Sequence, residues 1–579
     1  MTDLADGAVG EGGLSKVEGI KRASRQLRGT IAEELAQDSE VFSVASIQLN
    51  KFHGIYQQDD RDQRKQVRTA GSSKAYSMMV RVRIPGGVVS ASAYLAHDQL
   101  ARDFGNGTLR VTTRQDFQLH GILKRDLRSA IRAINSTMLT TLGGCGDVER
   151  NIMFCPAPIK DRLREEVELA LAELVPALAP SAGAYHEIWL DGELASSSAP
   201  AVDPLYGDSY LPRKFKTAIA VEGDNCVDVY ANDLGLVAVP TAAGGLSGFA
   251  VLVGGGMGRT HNRPETFAAV ATPMGMVKPQ QVVAVCRAIV TVQRDHGDRS
   301  NRRRARLKYL LADRGIDWFR EEVEARVGFP LEPPPTIRWP PIDDHLGWHE
   351  QGDGQLYLGL HIDNGRIEDS DRGEVMTGLR RLVSTHRPEV RLTPQQNIIL
   401  TNLDPRCRVE VEQLLNEHGV TLAENLHSAR RNAMACPALP TCGLALAEAE
   451  RAMPTLVTGL SELLDELGLG GESISYRMTG CPNGCTRPYL GDIGVVGTTL
   501  GKYDVLLGGD SSGTRLNWPY AHNVPLAEIV EVLRAPLHHF AAARRPGQRF
   551  GDWCHELGAA QLTALVEPAS AGSVLREFR

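Results

Sequence analysis

The chain carries the same block of sequence twice. Shifted by 281 positions, Arg110-Val-Thr112-Thr-Arg114-Gln115 falls on Arg391-Leu-Thr393-Pro-Gln395-Gln396. At the same shift, Arg150-Asn151-Ile-Met153-Phe-Cys155-Pro156-Ala157 falls on Arg431-Asn432-Ala-Met434-Ala-Cys436-Pro437-Ala438. A period this long marks a duplicated domain rather than a solenoid of short repeats. The local pattern agrees. Tyr76 to Ile84 is β-rich and stops at Pro85-Gly86-Gly87, Leu95 to Phe104 is an amphipathic helix, and Thr108 to Thr112 and Phe117 to Ile122 are strands. The β-α-β pattern returns around Gln355 to Leu403, and longer helices are expected at Asp161–Leu178, Pro279–Arg294 and Arg303–Arg314. Helices alternating with strands give an α+β class with mixed α/β sheets.

Four cysteines lie in the second copy, as Cys436-Pro-Ala-Leu-Pro-Thr-Cys442 and, after a gap of 38 residues, Cys481-Pro-Asn-Gly-Cys485. Thiolates in two close pairs suit one soft metal centre, and the prolines and glycine make rigid turns that aim them inward. This spacing fits structural zinc poorly and an iron–sulfur cube better. In the first copy Cys155 matches Cys436, but the position matching Cys442 is Asp161, so the cluster is expected wholly in the second copy.

Composition bounds the rest. At 579 residues the chain exceeds one core and should form several domains. A formal charge of −7 gives no global basic field for nucleic acid. No stretch approaches the ~20 apolar residues of a membrane span. The first residues mix acids, bases and glycines, unlike a secretory signal or transit peptide, so a cytoplasmic location is expected. Ten cysteines in a reducing compartment point to metal binding rather than disulfides.

From Lys51-Phe52-His53-Gly54 to Phe550-Gly551-Asp552 the sequence resembles the siroheme-dependent sulfite and nitrite reductases. The match includes Arg114-Gln115-Asp116-Phe117-Gln118-Leu119-His120-Gly121, Leu211-Pro212-Arg213-Lys214-Phe215-Lys216 and Thr479-Gly480-Cys481-Pro482-Asn483-Gly484-Cys485. The resemblance implies a pseudo-twofold fold: an N-terminal tail (1–45), a ferredoxin-like half-domain (46–130), a siroheme and anion-binding domain (131–329), a proline-rich linker (330–342), a second half-domain (343–412) and a 4Fe–4S domain (413–579). It implies that Cys436, Cys442, Cys481 and Cys485 hold a 4Fe–4S cube, with Cys485 shared with the siroheme iron. Arg81, Arg150, Lys214 and Lys216 would meet the substrate anion, with Arg81 preferred to its neighbour Arg83. Arg114, Gln118, His120 and Arg213 would meet siroheme carboxylates.

The implied activity is the six-electron reduction of sulfite to sulfide, in sulfate assimilation and cysteine biosynthesis. The Lys214/Lys216 pair favours the sulfite branch over nitrite, since a dianion gains more from a second lysine. Val253-Gly254-Gly255-Gly256-Met257-Gly258 lacks the last glycine of a dinucleotide loop, and each copy has a strand followed by glycines (Leu506-Leu507-Gly508-Gly509 in the second), so close backbone approach is the better reading. Electrons must then come from another protein. An NADPH-dependent flavoprotein subunit is preferred on chain length and the absence of a transit peptide. The alternative is ferredoxin, suggested by Lys51 to Arg61 and Gly347 to Gly354. The run Arg302-Arg303-Arg304-Ala-Arg306-Leu-Lys308 is expected as a helix, solvated or facing cofactor carboxylates or an acidic partner. His538-His539 and Cys554-His555 lack a matching second pair of ligands. Outside enzymology, the four cysteines would suit a zinc-binding interaction module.

Overall fold

The structure, a computed structural model, describes residues 13–181, 187–190, 193–197, 202–340, 344–510 and 512–564. Positions 1–12 of the expected tail and 341–342 of the expected linker lie outside them.

Four five-stranded sheets form two corresponding pairs. One is antiparallel, in the order Ile55–Asp59, Tyr76–Val82, Phe117–Ile122, Leu109–Val111, with Arg366–Ile367 of the other copy at its edge. Its counterpart runs Gly347–Glu350, Leu356–Leu360, Ile398–Leu403, Glu389–Leu392, and takes Val88–Val89 of the first copy at its edge. Each half-domain therefore lends a strand to the other, with Arg366 opposite Arg110 and Val89 opposite Val390. The two also share one hydrophobic core, in which Met78, Phe117 and Ile134 pack together with Leu358, Leu379 and Ile398. Because apolar residues of both copies fill that core, the half-domains are one folding unit.

The other two sheets are mixed. The first is ordered Thr272–Val277, Leu246–Val253, Leu234–Pro240, Thr217–Val221, Met153–Phe154; the second, Ala433–Ala435, Tyr476–Thr479, Ile493–Thr499, Lys502–Leu507, Trp518–Pro525. In both, the strand bearing the repeated Met begins a parallel set and the later strands are antiparallel. Helices cover them. Arg162–Leu178 starts at Asp161, whose carboxylate accepts from Arg164 N at 2.7 Å, and buries Leu163, Val167, Leu171, Leu174 and Leu178 on one stripe.

Two sequence expectations change. The helix expected at Arg303–Arg314 begins only at Leu307. The run from Arg302 to Arg306 before it is irregular, and Arg302, Arg306 and Lys308, the last in the helix's first turn, are buried rather than solvated. Arg302 donates to Asp147 at 2.8 Å, Arg306 to Asp233 at 2.5 Å, and Lys308 to the carbonyls of Gly256 and Gly258. Each cation meets a carboxylate or carbonyls from a distant segment, an arrangement no local charge pattern reveals. Within the stretch expected as a tail, Lys16–Arg22 is a helix whose Lys21 is fully buried between Glu18 and Asp147.

The glycines of both copies do mark close approach. A Cβ on Gly255 would lie 2.1 Å from Tyr230 O, and one on Gly509 would lie 2.3 Å from Gly491 O.

Candidate active site

Cys436 and Cys481 each follow a strand, Ala433–Ala435 and Tyr476–Thr479, and these strands are parallel neighbours. Adjacency in a parallel sheet delivers both cysteine turns to the same sheet end. Gly480 N donates to Cys436 Sγ at 3.4 Å, and Asn483 Nδ2 lies 3.7 Å from Cys481 Sγ. A Cβ on Gly480 would meet Ala447 O at 2.4 Å, so the turn admits only glycine there. Cys436 and Cys481 are buried, Cys442 is partly exposed and Cys485 is exposed. Burial, followed by the charges of Cys485, Cys481 and Cys442, holds the Cys436 thiol well above its ordinary value. Burial and the charges of Cys485 and Cys442 push Cys481 up to about 12. Four mutually repelling thiolates form only around strong positive charge, and soft sulfur donors suit iron. The donor set fits a 4Fe–4S cluster.

Cys485 opens onto a cleft lined also by Arg114, Lys214, Lys216, Asn232, Arg306 and Arg487. An adjoining cleft shares Lys214, Gly258, Arg306 and Asn483 with it and adds Arg213 and Cys481. Burial, then Arg150, Arg306 and Arg213, lowers Lys214 to about 7. Burial, then Arg114 and Lys214, holds Lys216 well below the ordinary lysine range. Burial also works against Arg81, but Cys145, Tyr56, Asp116 and Cys485 outweigh it and raise the guanidinium above its usual value. The cleft thus holds more positive charge than its own residues compensate, which is the electrostatic condition for binding an anion.

The expected residues are not all equally available. Arg81 donates to Cys145 Sγ at 2.8 Å, and Gln118, with its oxygen turned to the guanidinium, accepts from Arg81 Nη2 at 2.5 Å. Arg150 reaches back to Gly146 O at 3.3 Å. Arg114 is largely engaged by Asn232 Oδ1 and by the carbonyls of Asn151 and Thr217. Its Nε, and both ring nitrogens of His120, are buried without a partner among the described residues. Burial, then Arg366 and Arg110, keeps His120 well below its ordinary value and so neutral. Buried polar atoms without partners are rare, and the carboxylates of a cofactor would accept from Arg114 Nε and from the one N–H that neutral His120 carries. Arg83 lies against Gly143 instead, with Glu149 in its field.

Comparison with known proteins decides the family. The nitrite and sulphite reductase 4Fe-4S domain matches residues 174–331 and 427–572, and the ferredoxin-like half domain of nitrite/sulfite reductases matches 72–136 and 349–418. The chain belongs to this family. It is 46% identical to the sulfite reductase (ferredoxin) of Synechococcus elongatus, over 94% of this chain and 90% of that one. It is 44% identical to the sulfite reductase (NADPH) hemoprotein beta-component of Staphylococcus haemolyticus, over 93% and 94%. Among solved structures, the Mycobacterium tuberculosis NirA protein superposes with a TM-score of 0.76 at 24% identity, covering 95% of this chain and 97% of that one, and so shares the nitrite/sulfite reductase fold.

Several residues in and around these clefts carry no clear signal in the sequence. Arg306 lies within the basic run, expected as a helix that is solvated or faces cofactor carboxylates or an acidic partner. Arg487 stands two residues after Cys485, and Asn232 and Cys145 carried no spacing signal. Arg487 could have been suspected only from its nearness to the cysteine turn.

Proposed function

We propose that this chain is the catalytic hemoprotein of an assimilatory sulfite reductase, carrying out the six-electron reduction of sulfite to sulfide. The observation that carries this reading is the half-buried Lys214/Lys216 pair in a cleft that opens on Cys485. When bound, siroheme and the 4Fe–4S cluster would relay the donor's electrons to the substrate, a task no side chain can perform. Cys436, Cys442, Cys481 and Cys485 would hold the cluster, and Cys485, the exposed one, would also serve the siroheme. Arg114 through Nε, His120 and Arg213 meet siroheme carboxylates, while Gln118 acts through Arg81.

Arg81, Arg150, Lys214 and Lys216 bind the substrate. The arginines offer flat forks to its oxygens, and the lysines are mobile point charges that carry protons. Lys214, at about 7, exchanges a proton near neutral pH, as an oxygen leaving as water requires. Relatives of two donor types match the chain at nearly equal identity. We assign a protein donor, an NADPH flavoprotein subunit or ferredoxin, and a cytoplasmic location. No helix among the described residues is long and apolar enough to cross a membrane.

A steady-state assay with a chemical reductant, comparing sulfite with nitrite, tests the assignment. A higher kcat/KM for sulfite is expected, and a higher value for nitrite refutes it. Sulfide release with reduced ferredoxin, against NADPH plus the flavoprotein, identifies the donor.

A further inference from the structure

Away from the cluster, Cys155, Asp224, Cys226 and His345 bring their ligand atoms to within 4.8 Å of one another. Cys155 Sγ is 2.9 Å from Asp224 Oδ2 and 3.7 Å from His345 Nε2, and His345 Nε2 is 3.0 Å from Asp224 Oδ2. Two thiols, a carboxylate and an imidazole from three distant segments thus converge on one point. We propose that this group is a structural zinc site, separate from the iron–sulfur cluster.

The donor set argues for it. Mixed sulfur, nitrogen and oxygen donors suit zinc, and four protein ligands make a closed structural site. Ligand atoms around tetrahedral zinc stand about 3.3–3.8 Å apart, given bonds of about 2.0–2.3 Å. Two of the separations, 2.9 and 3.0 Å, are shorter than that range, 3.7 Å falls within it, and none exceeds 4.8 Å, so movements of about an ångström would complete the shell. Cys155 and Cys226 are buried, at 0% and 2% exposure, and the site is shielded from competing water.

The ligands are also held from behind. Asp224 Oδ1 accepts from Cys226 N at 3.1 Å, leaving Oδ2 to face the group. Cys226 O accepts from Gln395 Nε2 at 2.7 Å. Next to His345, Asp344 Oδ2 accepts from Thr393 Oγ1 and Asn397 Nδ2. Such outer hydrogen bonds fix the direction of metal ligands.

Position supplies the role. Cys155, Asp224 and Cys226 belong to the first repeat, whereas His345 stands between the proline-rich connector and Gly347–Glu350, the first strand of the second. Zinc here would clip the start of the second repeat onto the first, displacing the two thiol protons with no redox change. Cys155 is the duplicate of Cys436, so each copy would use the same position for a different metal.

The test is elemental analysis of the purified holoenzyme, with zinc K-edge X-ray absorption. One zinc per chain is expected in addition to the iron, with two sulfur neighbours. Cys226→Ser should lower zinc below a tenth of an equivalent while iron content and cofactor absorption stay at wild-type levels. His345→Gln, at the most exposed ligand, should weaken zinc retention against a chelator at least tenfold, and guards against misfolding of the cysteine variant. Less than a tenth of an equivalent of zinc in the wild type would overturn the proposal. So would zinc unchanged in both variants, a Cys155–Cys226 disulfide by intact mass, or another metal in this site.

Discussion

Asp228 joins the two repeats beside the cysteine turn, and replacing it with asparagine tests how that joint is held. Its carboxylate accepts from Arg477 Nη1 at 2.7 Å and from Arg487 Nε, and all three side chains are at most 8% exposed. Arg487 also holds the carbonyls of Thr113 and Pro394, so the two arginines lock loops of both repeats together. Asparagine keeps the shape and removes the charge, stranding two guanidinium groups in a buried site. Breaking a buried ion pair from one side costs about 3–5 kcal/mol. At about 2–4 °C per kcal/mol for a cooperative unit of this size, Asp228→Asn should lower the unfolding temperature by about 6–20 °C.

The pH dependence supplies a second signature. Burial alone would raise the Asp228 carboxyl, but Arg477 and Arg487 outweigh it and hold it below its ordinary value. A depressed carboxyl contributes stability that is complete above its unfolded pKa, about 4, and is lost as pH falls through the folded value. Thermal scans between pH 7 and 3 should therefore show the gap between wild type and variant constant above about pH 4 and narrowing below it. A drop under 2 °C at neutral pH, or a gap that does not narrow at all between pH 4 and 3, would refute the reasoning.

Three further outcomes follow from the site. Cys485→Ser should abolish sulfite reduction and lower both iron and siroheme content; retention of both cofactors in absorption and iron analysis would remove Cys485 as the shared ligand. Lys216→Asn should cut kcat/KM for sulfite ten- to a hundredfold, as loss of a charged hydrogen bond of about 1.5–3 kcal/mol implies, and should cost nitrite much less; equal losses would remove the basis for the preference. Since only protonated Lys214 attracts the anion, the KM for sulfite should rise as pH climbs through about 7. Lys214→Arg should shift that rise to far higher pH, with sulfite's own protonation common to both enzymes, and an unchanged profile would exclude Lys214.

What sequence reveals here depends on chain distance. The cysteine turns are legible because ligand, proline and glycine lie within a few residues. The duplication is legible because whole blocks survived at one offset. Phe117–Ile122 falls where its β-rich pattern places it. The run from Arg302 to Lys308 misleads because Asp147 and Asp233, which bury it, lie more than 70 residues away. His345 and Cys226 give no spacing pattern with Cys155, so only folding brings them together.

The reciprocal edge strands bear on how such a protein could have arisen and how it must be made. Val88–Val89 and Arg366–Ile367 each close a sheet belonging to the other copy. A single copy would leave a row of open backbone donors and acceptors, a template for joining another chain. Two such chains satisfying each other would already form this lobe. The gene duplication then reads as the fusion of an ancestral exchanged pair, with the connector replacing diffusion. For a chain emerging from the ribosome, the first copy waits with an open edge until Arg366–Ile367 is synthesised. Expression of residues 1–340 alone would yield paired or aggregated chains rather than a folded monomer.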